Sequence, residues 1–249
     1  MVWQLNITTY NIHKGMSMFN RRSMLAALKK ALNTLDADIV FLQEVRGAQR
    51  ARQKQLNLLT NTPQHMFLGD NYPYCIYGCN AKYRHGHHGN ALLSRYPINY
   101  WYNLDISLNR LEQRGVLHAQ IAIDGWQESL HALCIHLNLR ANDRRQQLNT
   151  LICYANSTIP SHAPLIIAGD FNDWREEASD LLKQRLNVYE VFQHVQGEVA
   201  SSFPAHWPIL PLDRIYIRRL NVLTVNLHHG APWSNLSDHI PLSASLHRL

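Results

Sequence analysis

The sequence predicts an α/β protein built from two mixed β-sheets packed face to face, with helices on the outside. Strand-type segments outnumber helical ones, several strand candidates follow one another directly, and the helices interleave irregularly. A regular β-α-β alternation would instead suggest one doubly wound parallel sheet.

Taken in order, a strand is expected at 3–11, where apolar and polar residues alternate roughly. "RRSMLAALKKALNTL" carries Leu25, Leu28, Leu32 and Leu35 at helical spacing, and "ADIVFLQE" is a short apolar run of strand type ending in Glu44. A second helix fits "AQRARQKQLNLLTN". Strands are expected near 73–78, 89–94, 98–106, 115–123 and 129–136. A helix at 143–157 precedes a strand at 164–169, and a shorter helix near 176–186 follows it. Strands at 188–192, 213–218, 221–227 and 239–246 complete the chain.

No Gly/Ser linker, charge block or low-complexity tract divides the 249 residues, so 1–249 reads as one domain, long enough to bury a substantial core. An apolar content of 46% with 17% charged residues excludes a disordered chain. The net charge of +6 favours anionic partners, nucleic acid or a phospholipid surface among them. The basic runs Arg21-Arg22, Arg144-Arg145 and Arg218-Arg219 also suit ordinary solvated faces. Cys134 and Cys153 lie in apolar runs and read as small core residues, while Cys75 and Cys79 show no zinc-like spacing with histidine. The N-terminal residues lack the pattern of a signal peptide, and no apolar run approaches a transmembrane span. The expectation is a cytoplasmic enzyme. Neither glycine-rich nucleotide-binding motif is present.

The informative pattern lies at the strand ends. "NITTYN" ends at Asn11, "IVFLQE" at Glu44, "LHALCIH" at His136, and "LIIAGDFN" at Asp170 and Asn172. "PLDRIYI" opens near Asp213, and "SDHIPLSA" opens with Asp238 and His239. Gathered on one rim, these side chains suit phosphate-ester hydrolysis. Carboxylates hold a divalent cation against phosphoryl oxygens, and another accepts a proton from the attacking water. Histidine and asparagine supply donors where charge develops, and a carboxylate beside a histidine keeps it protonated. Each residue taken alone also has a plain structural reading: a turn, a surface acid, or an ion pair between Asp213 and Arg214.

In order and spacing, "TYNIHKG", "FLQEV", "HHGNALLSRYPI", "CIHLNLR", "AGDFNDW", "LDRIYI" and "SDHIPL" resemble the endonuclease/exonuclease/phosphatase superfamily over nearly the whole chain, nearest its YbhP-like bacterial branch. The resemblance implies a four-layer α/β sandwich of deoxyribonuclease type. It implies Mg²⁺, with Mn²⁺ as a substitute, held by Glu44 with Asn11 and Asp238. Asp170 would orient or deprotonate water, and Asn172 would bond a phosphate oxygen or place that water. His239, held by Asp213, would contact the scissile phosphate, and His136 would serve as the second histidine.

Further candidates stand beside plainer readings. Asn90, Arg114 and His88 are candidate substrate contacts. Arg114 has an ion pair to Glu112 as its alternative, and "RHGHHGN" reads as a loop beside the site or a plain surface loop. His87 and His88, adjacent on a strand, do not point at one ion. His13 and Lys14 line the cleft or are solvated. Asp173 reads as a helix cap, with Glu176 completing a capping box.

The leading substrate is a nucleic acid or nucleotide-like diester. No basic stripe with interleaved aromatics is visible to track a strand, and "YPYCIYGCNAKYRHGHHGN" offers no glutamate for the first histidine of the deoxyribonuclease branch, which argues against duplex cleavage. The alternative is a phospholipid or inositol phosphate, with Phe203, Trp207, Ile209 and Leu210 as an apolar loop grazing a bilayer, or packed over the sheet edge. A catalytically inert binding scaffold ranks last.

Overall fold

A computed structural model of the chain describes residues 4–17, 22–47, 62–84 and 86–249. The described elements are β1 (Gln4–Asn11), α1 (Leu25–Asn33), β2 (Ile39–Arg46), α2 (Gln64–Leu68), β3 (Tyr74–Tyr83), β4 (Gly86–Ser94), β5 (Ile98–Asp105), β6 (Gly115–Ile121) and β7 (Leu130–His136). They continue with α3 (Ala141–Thr158), β8 (Leu165–Asp170), α4 (Glu177–Leu186), β9 (Tyr189–Glu190), α5 (Val191–Gln196), β10 (Asp213–Arg218), β11 (Leu220–Leu227), α6 (Trp233–Leu236) and β12 (Leu242–Arg248). The helix expected over 48–61 lies outside the described residues.

The strands form two six-stranded sheets, ordered β11-β12-β1-β2-β4-β3 and β5-β6-β7-β8-β10-β9. Both are mixed: β1 runs parallel to β2, and β7 runs parallel to β8. Alternate residues of one strand serve two cores. In β8, Ile166 and Ala168 face the opposing sheet with Ile7, Phe41 and Leu92, whereas Leu165 and Ile167 face the helix layer with Leu148, Leu151 and Leu182. In β2, Phe41 faces inward and Val40 and Leu42 meet Leu28 and Leu32 of α1. Strands covered on both faces read as continuous apolar runs, which is why these segments show little alternation.

Parallel and antiparallel pairing together bring strand ends to one rim. His136 pairs with Asp170, Asp170 with Asp213, and Asn11 with Gln43, one residue short of Glu44. The β2–β4 register slips between Leu42 and Val45, and Glu44 adopts φ 54° within that irregularity. A bulge re-aims a side chain that regular alternation would have sent elsewhere.

Gly169 does not bend the strand; β8 continues to Asp170. Its role is close approach. At φ 148°, a Cβ there would collide with the Ile135 carbonyl oxygen of β7. Gly169→Ala is expected to destabilise the protein by about 2–6 kcal/mol, combining backbone strain with overpacking, as read from urea unfolding. An unchanged midpoint would contradict this packing.

Several expected elements differ. The strand at 188–192 is only Tyr189–Glu190, because Glu190 caps α5 by accepting from Gln193 N at 2.7 Å. The strand expected from 239 starts at Leu242, leaving Asp238 and His239 in the preceding loop. Cys153 is exposed: α3 turns Leu151, Ile152 and Ala155 inward and Cys153 outward. The basic runs are not uniformly solvated either. Arg144 and Arg218 are buried, Arg218 donating to the carbonyls of Pro160, Ala163 and Leu186.

Burial pushes the Glu190 carboxyl up to about 7. The folded protein therefore binds this proton more tightly than the unfolded chain does. Its contribution is fully present below the unfolded value near 4.5 and declines as pH rises to about 7, by up to about 3 kcal/mol. Glu190→Gln keeps an acceptor for Gln193 N. The variant's stability relative to the native chain should rise between pH 4.5 and 7, and a flat difference across that range would refute the assignment.

Candidate active site

Asp170 is the buried hub of the rim. Its Oδ2 accepts from Asn11 Nδ2 at 3.0 Å, across the two sheets, and its Oδ1 accepts from the Asn172 backbone N–H at 2.9 Å. His136 Nε2 lies 3.4 Å and His239 Nε2 3.8 Å from the same Oδ2. Asp213 Oδ2 takes His239 Nδ1 at 2.7 Å and the Ser202 hydroxyl at 2.6 Å. Asp213 therefore serves His239 and Ser202, not an ion pair with Arg214, whose guanidinium bonds backbone carbonyls.

These contacts separate the two histidines electrostatically. Burial works against charge on His239, but Asp213, Asp170 and Asp238 outweigh it and raise the ring to about 10. His239 is thus an imidazolium at neutral pH. Burial, reinforced by Arg114, holds His136 well below its ordinary value, so it is neutral. Burial and the neighbouring Asp213 raise Asp170 to about 7, with His239 opposing. A carboxyl near neutrality can both accept and release a proton at working pH.

The other side of the cleft comes from β1, β2 and the short 3₁₀ turn His13–Gly15. Lys14 Nζ lies 3.0 Å from Glu44 Oε2, and His13 Nδ1 lies 3.1 Å from Asp238 Oδ2. His13 N–H donates to Asn11 Oδ1 at 3.1 Å, and Ser237 Oγ donates to the Asn11 carbonyl at 2.7 Å. Burial pushes Glu44 up, but His136, Lys14 and His13 more than offset it, holding the carboxyl well below the usual range. His13, Lys14, Glu44 and Asn172 all have positive φ. Such backbone persists only where the surroundings enforce it, and it gathers at functional sites.

Glu44, Asn11 and Asp238 offer hard oxygen donors suited to Mg²⁺ or Mn²⁺. Glu44 Oε2 is buried and faces the Lys14 ammonium at 3.0 Å, with no other partner among the described residues. An acceptor left in that condition fits a cation. Asp170, Asp213 and His239 also place ligand atoms within 4.8 Å of one another. That trio suits a cation less well, because Asp213 Oδ2 is already taken and a protonated His239 has no lone pair to give.

The remaining candidates sort by their contacts. Asn90 is buried, and its amide donates to the carbonyls of Gly115 and Cys134 at 3.0 and 3.1 Å. Its N–H groups tie the two sheets together, while its Oδ1 is buried without a hydrogen-bond partner among the described residues. Arg114 makes its Glu112 ion pair at 2.9 Å and also donates to the Leu137 carbonyl at 3.2 Å, an oxygen it shares with Asn172 Nδ2. "GHHGN" lies in β4, not in a loop. His87 bonds Tyr77 Oη at 2.9 Å, whereas His88 pairs with Arg46 of β2 and is lowered to about 4 by burial and Lys14. Asp173 caps α4 by accepting from Ala178 N at 2.7 Å, but Glu176 is left-handed and makes no reciprocal bond. Ser202 and Ser237 carried no recognisable signal in the sequence.

Two mixed six-stranded sheets face to face, with helices outside and a carboxylate–histidine rim, define a deoxyribonuclease-like α/β sandwich. The chain belongs to the Endonuclease/Exonuclease/phosphatase family, whose model matches residues 8–239. It is 41% identical to the "Uncharacterized protein YbhP" of Escherichia coli (strain K12), over 98% of this chain and 97% of that one. Among solved structures, an endonuclease/exonuclease/phosphatase from Beutenbergia cavernae superposes with a TM-score of 0.82 at 16% identity, covering 98% of this chain and 72% of the other. D. rerio TDP2 complexed with single strand DNA product gives a TM-score of 0.71 at 17% identity, covering 98% and 99%. These structural likenesses concern the fold.

Proposed function

We propose that the protein is a Mg²⁺-dependent phosphodiesterase that hydrolyses a nucleic acid or nucleotide-like diester, acting as one domain over 1–249 in the cytoplasm. The observation that carries it is Asp170: a buried carboxyl raised to about 7 and ringed by Asn11, His136 and a protonated His239.

Glu44, with Asn11 and Asp238, would hold the cation, which when bound neutralises charge on the phosphoryl oxygens. Asp170 accepts the proton of the attacking water. Asn172, fixed through its side chain to the Leu137 carbonyl, holds its backbone N–H on Asp170 Oδ1 and so aims that carboxylate. His239, charged and fixed by Asp213, donates from Nε2 to a phosphoryl oxygen as charge grows there. His136 is neutral and donates one N–H without adding charge. His88 and Arg114 line the approach.

A panel of single- and double-stranded DNA, RNA, bis(p-nitrophenyl) phosphate, phospholipids and inositol phosphates tests the proposal, with Mg²⁺, Mn²⁺ and chelator arms. Metal-dependent cleavage of a diester is expected, and its loss in Asp170→Asn. No metal-dependent hydrolysis of any phosphate ester would defeat the reading. With nucleic acid as substrate, affinity should fall steeply with added salt. The lipid alternative keeps one supporting observation: Trp207 and Ile209 are 76% and 61% exposed on a loop closed by Phe203 and Leu210, and so do not pack over the sheet edge.

A further inference from the structure

The ends of β7 and β8 and the loops that leave them deliver catalytic candidates, His136 from one and Asp170 and Asn172 from the other. A few residues further on, the same two loops meet again. Leu139 and Arg140 from the first, with Arg144 from the start of α3, face Trp174 and Arg175 from the second across a hollow of about 420 Å³. A neighbouring hollow of about 410 Å³ shares Ala141 and Arg144 and adds the exposed Arg145.

Trp174 is held from one side. The buried Arg144 guanidinium sits 5.1 Å from the indole centroid. Arg144 is itself locked by the Leu139 carbonyl at 2.6 Å and by Asp173 at 3.5 Å. Trp174 nevertheless remains 43% exposed. It is thus a fixed aromatic plate, backed by a cation and open to solvent. Arg140 and Arg175 flank it, exposed and without ion pairs among the described residues. Of the acids nearby, Asp143 accepts from Asn138 Nδ2 at 3.1 Å and Asp173 is taken by Arg144 and Ala178 N, while Glu176, beside Arg175, is exposed and does not line the hollow. Glu177 lines only the second hollow. Trp174 follows Asn172 by two residues, so their Cα atoms lie within about 7.6 Å. This is the basic and aromatic surface that the linear sequence does not show, because its two halves are some thirty residues apart.

We propose that Trp174 is the stacking platform for an unpaired nucleobase next to the scissile phosphate, with Arg140 and Arg175 contacting the flanking phosphates. The proposal rests on the phosphodiesterase reading and adds its substrate class, a single strand or a frayed end. An indole face accepts any base, so recognition is by strand state and not by sequence. A duplex keeps its bases stacked and offers the plate nothing.

The test is fluorescence anisotropy with a labelled single-stranded oligothymidylate, using the full chain in the Asp170→Asn background so that the strand survives. Trp174→Ala should weaken binding by on the order of tenfold, and Trp174→Phe should retain most of it. Abasic replacement, moved along the strand, should reveal one position that costs affinity with Trp174 present and costs nothing in Trp174→Ala. Arg140→Ala and Arg175→Ala should each reduce the slope of log affinity against log salt by about 0.7. Equal affinity in Trp174→Ala, equal competition by a fully paired duplex, or failure of the strand to bind would each overturn the proposal. Turnover of bis(p-nitrophenyl) phosphate by the native chain tests the hydrolytic reading separately, so the two can fail independently.

Discussion

Asp170→Asn is expected to lower diester turnover by about 10²–10⁴-fold, the range attributed to a positioned general base, while leaving the fold intact or more stable. The substitution removes a carboxylate that burial and Asp213 keep near neutrality. In the folded protein this group binds its proton more tightly than in the unfolded chain. Ionising it therefore costs stability as pH rises from the ordinary carboxylate range to about 7. An amide pays no such cost; its oxygen can still accept from the Asn172 N–H, but its NH₂ then meets Asn11 Nδ2, and a flip of Asn11 would forfeit the bond its Oδ1 accepts from His13 N–H. The opposing loss is the attraction to His239, so the gain is smaller than burial alone implies. The measurement is paired: turnover with Mg²⁺, and urea unfolding at pH 6 and pH 8. Loss of activity with a lowered midpoint at pH 8 would mean that Asp170 holds the structure together and is not a poised base. Activity near the native level would remove it from the chemistry.

Such a residue conflicts with the fold that carries it, and the conflict was partly legible in the sequence. A strand as apolar as "LIIAG" ending in Asp170 and Asn172 has no local need for either side chain. The same logic placed Asn11, His136, Asp213 and His239 on one rim, because parallel β1–β2 and β7–β8 pairs align strand ends and the antiparallel partners β10 and β12 start beside the ends of β8 and β1. What depended on local irregularity was hidden. The slip in β2 that turns Glu44 into the cleft, and the left-handed backbone of Lys14 that brings its amine to Glu44, leave no periodic trace. Burial deceived in both directions. Arg144 and Arg218 sit in runs that suit solvated faces but are buried, and Cys153 looked like core but falls on the outer face of α3. The Arg144–Trp174 contact joins segments that no local pattern relates.

Glu44→Ala should abolish both Mg²⁺-dependent turnover and the stabilisation that Mg²⁺ confers on the native protein. The second readout needs no substrate. A cation that binds only the folded state stabilises it by about 2.7 kcal/mol at a concentration one hundred times its dissociation constant. The native chain should therefore melt higher with Mg²⁺ than with chelator, and the variant should not. Turnover should fall at least about 100-fold, since even groups that only support a metal ligand cost that much at the upper end. Without metal the variant also tests the Lys14 pair. The Glu44 carboxyl is held below its usual range, so its contribution is present above the unfolded value near 4.5 and fades as pH falls toward the folded value. The native chain should exceed Glu44→Ala in stability at pH 7, and the gap should close in acid. Glu44→Gln refines the result: it retains bulk and one neutral oxygen, so partial Mg²⁺ stabilisation separates lost charge from lost volume. Should Mg²⁺ still raise the melting temperature of Glu44→Ala by the full native increment, the cation sits elsewhere. The Asp170, Asp213 and His239 trio is then the next place to look, and His239 would have to give up its proton to serve.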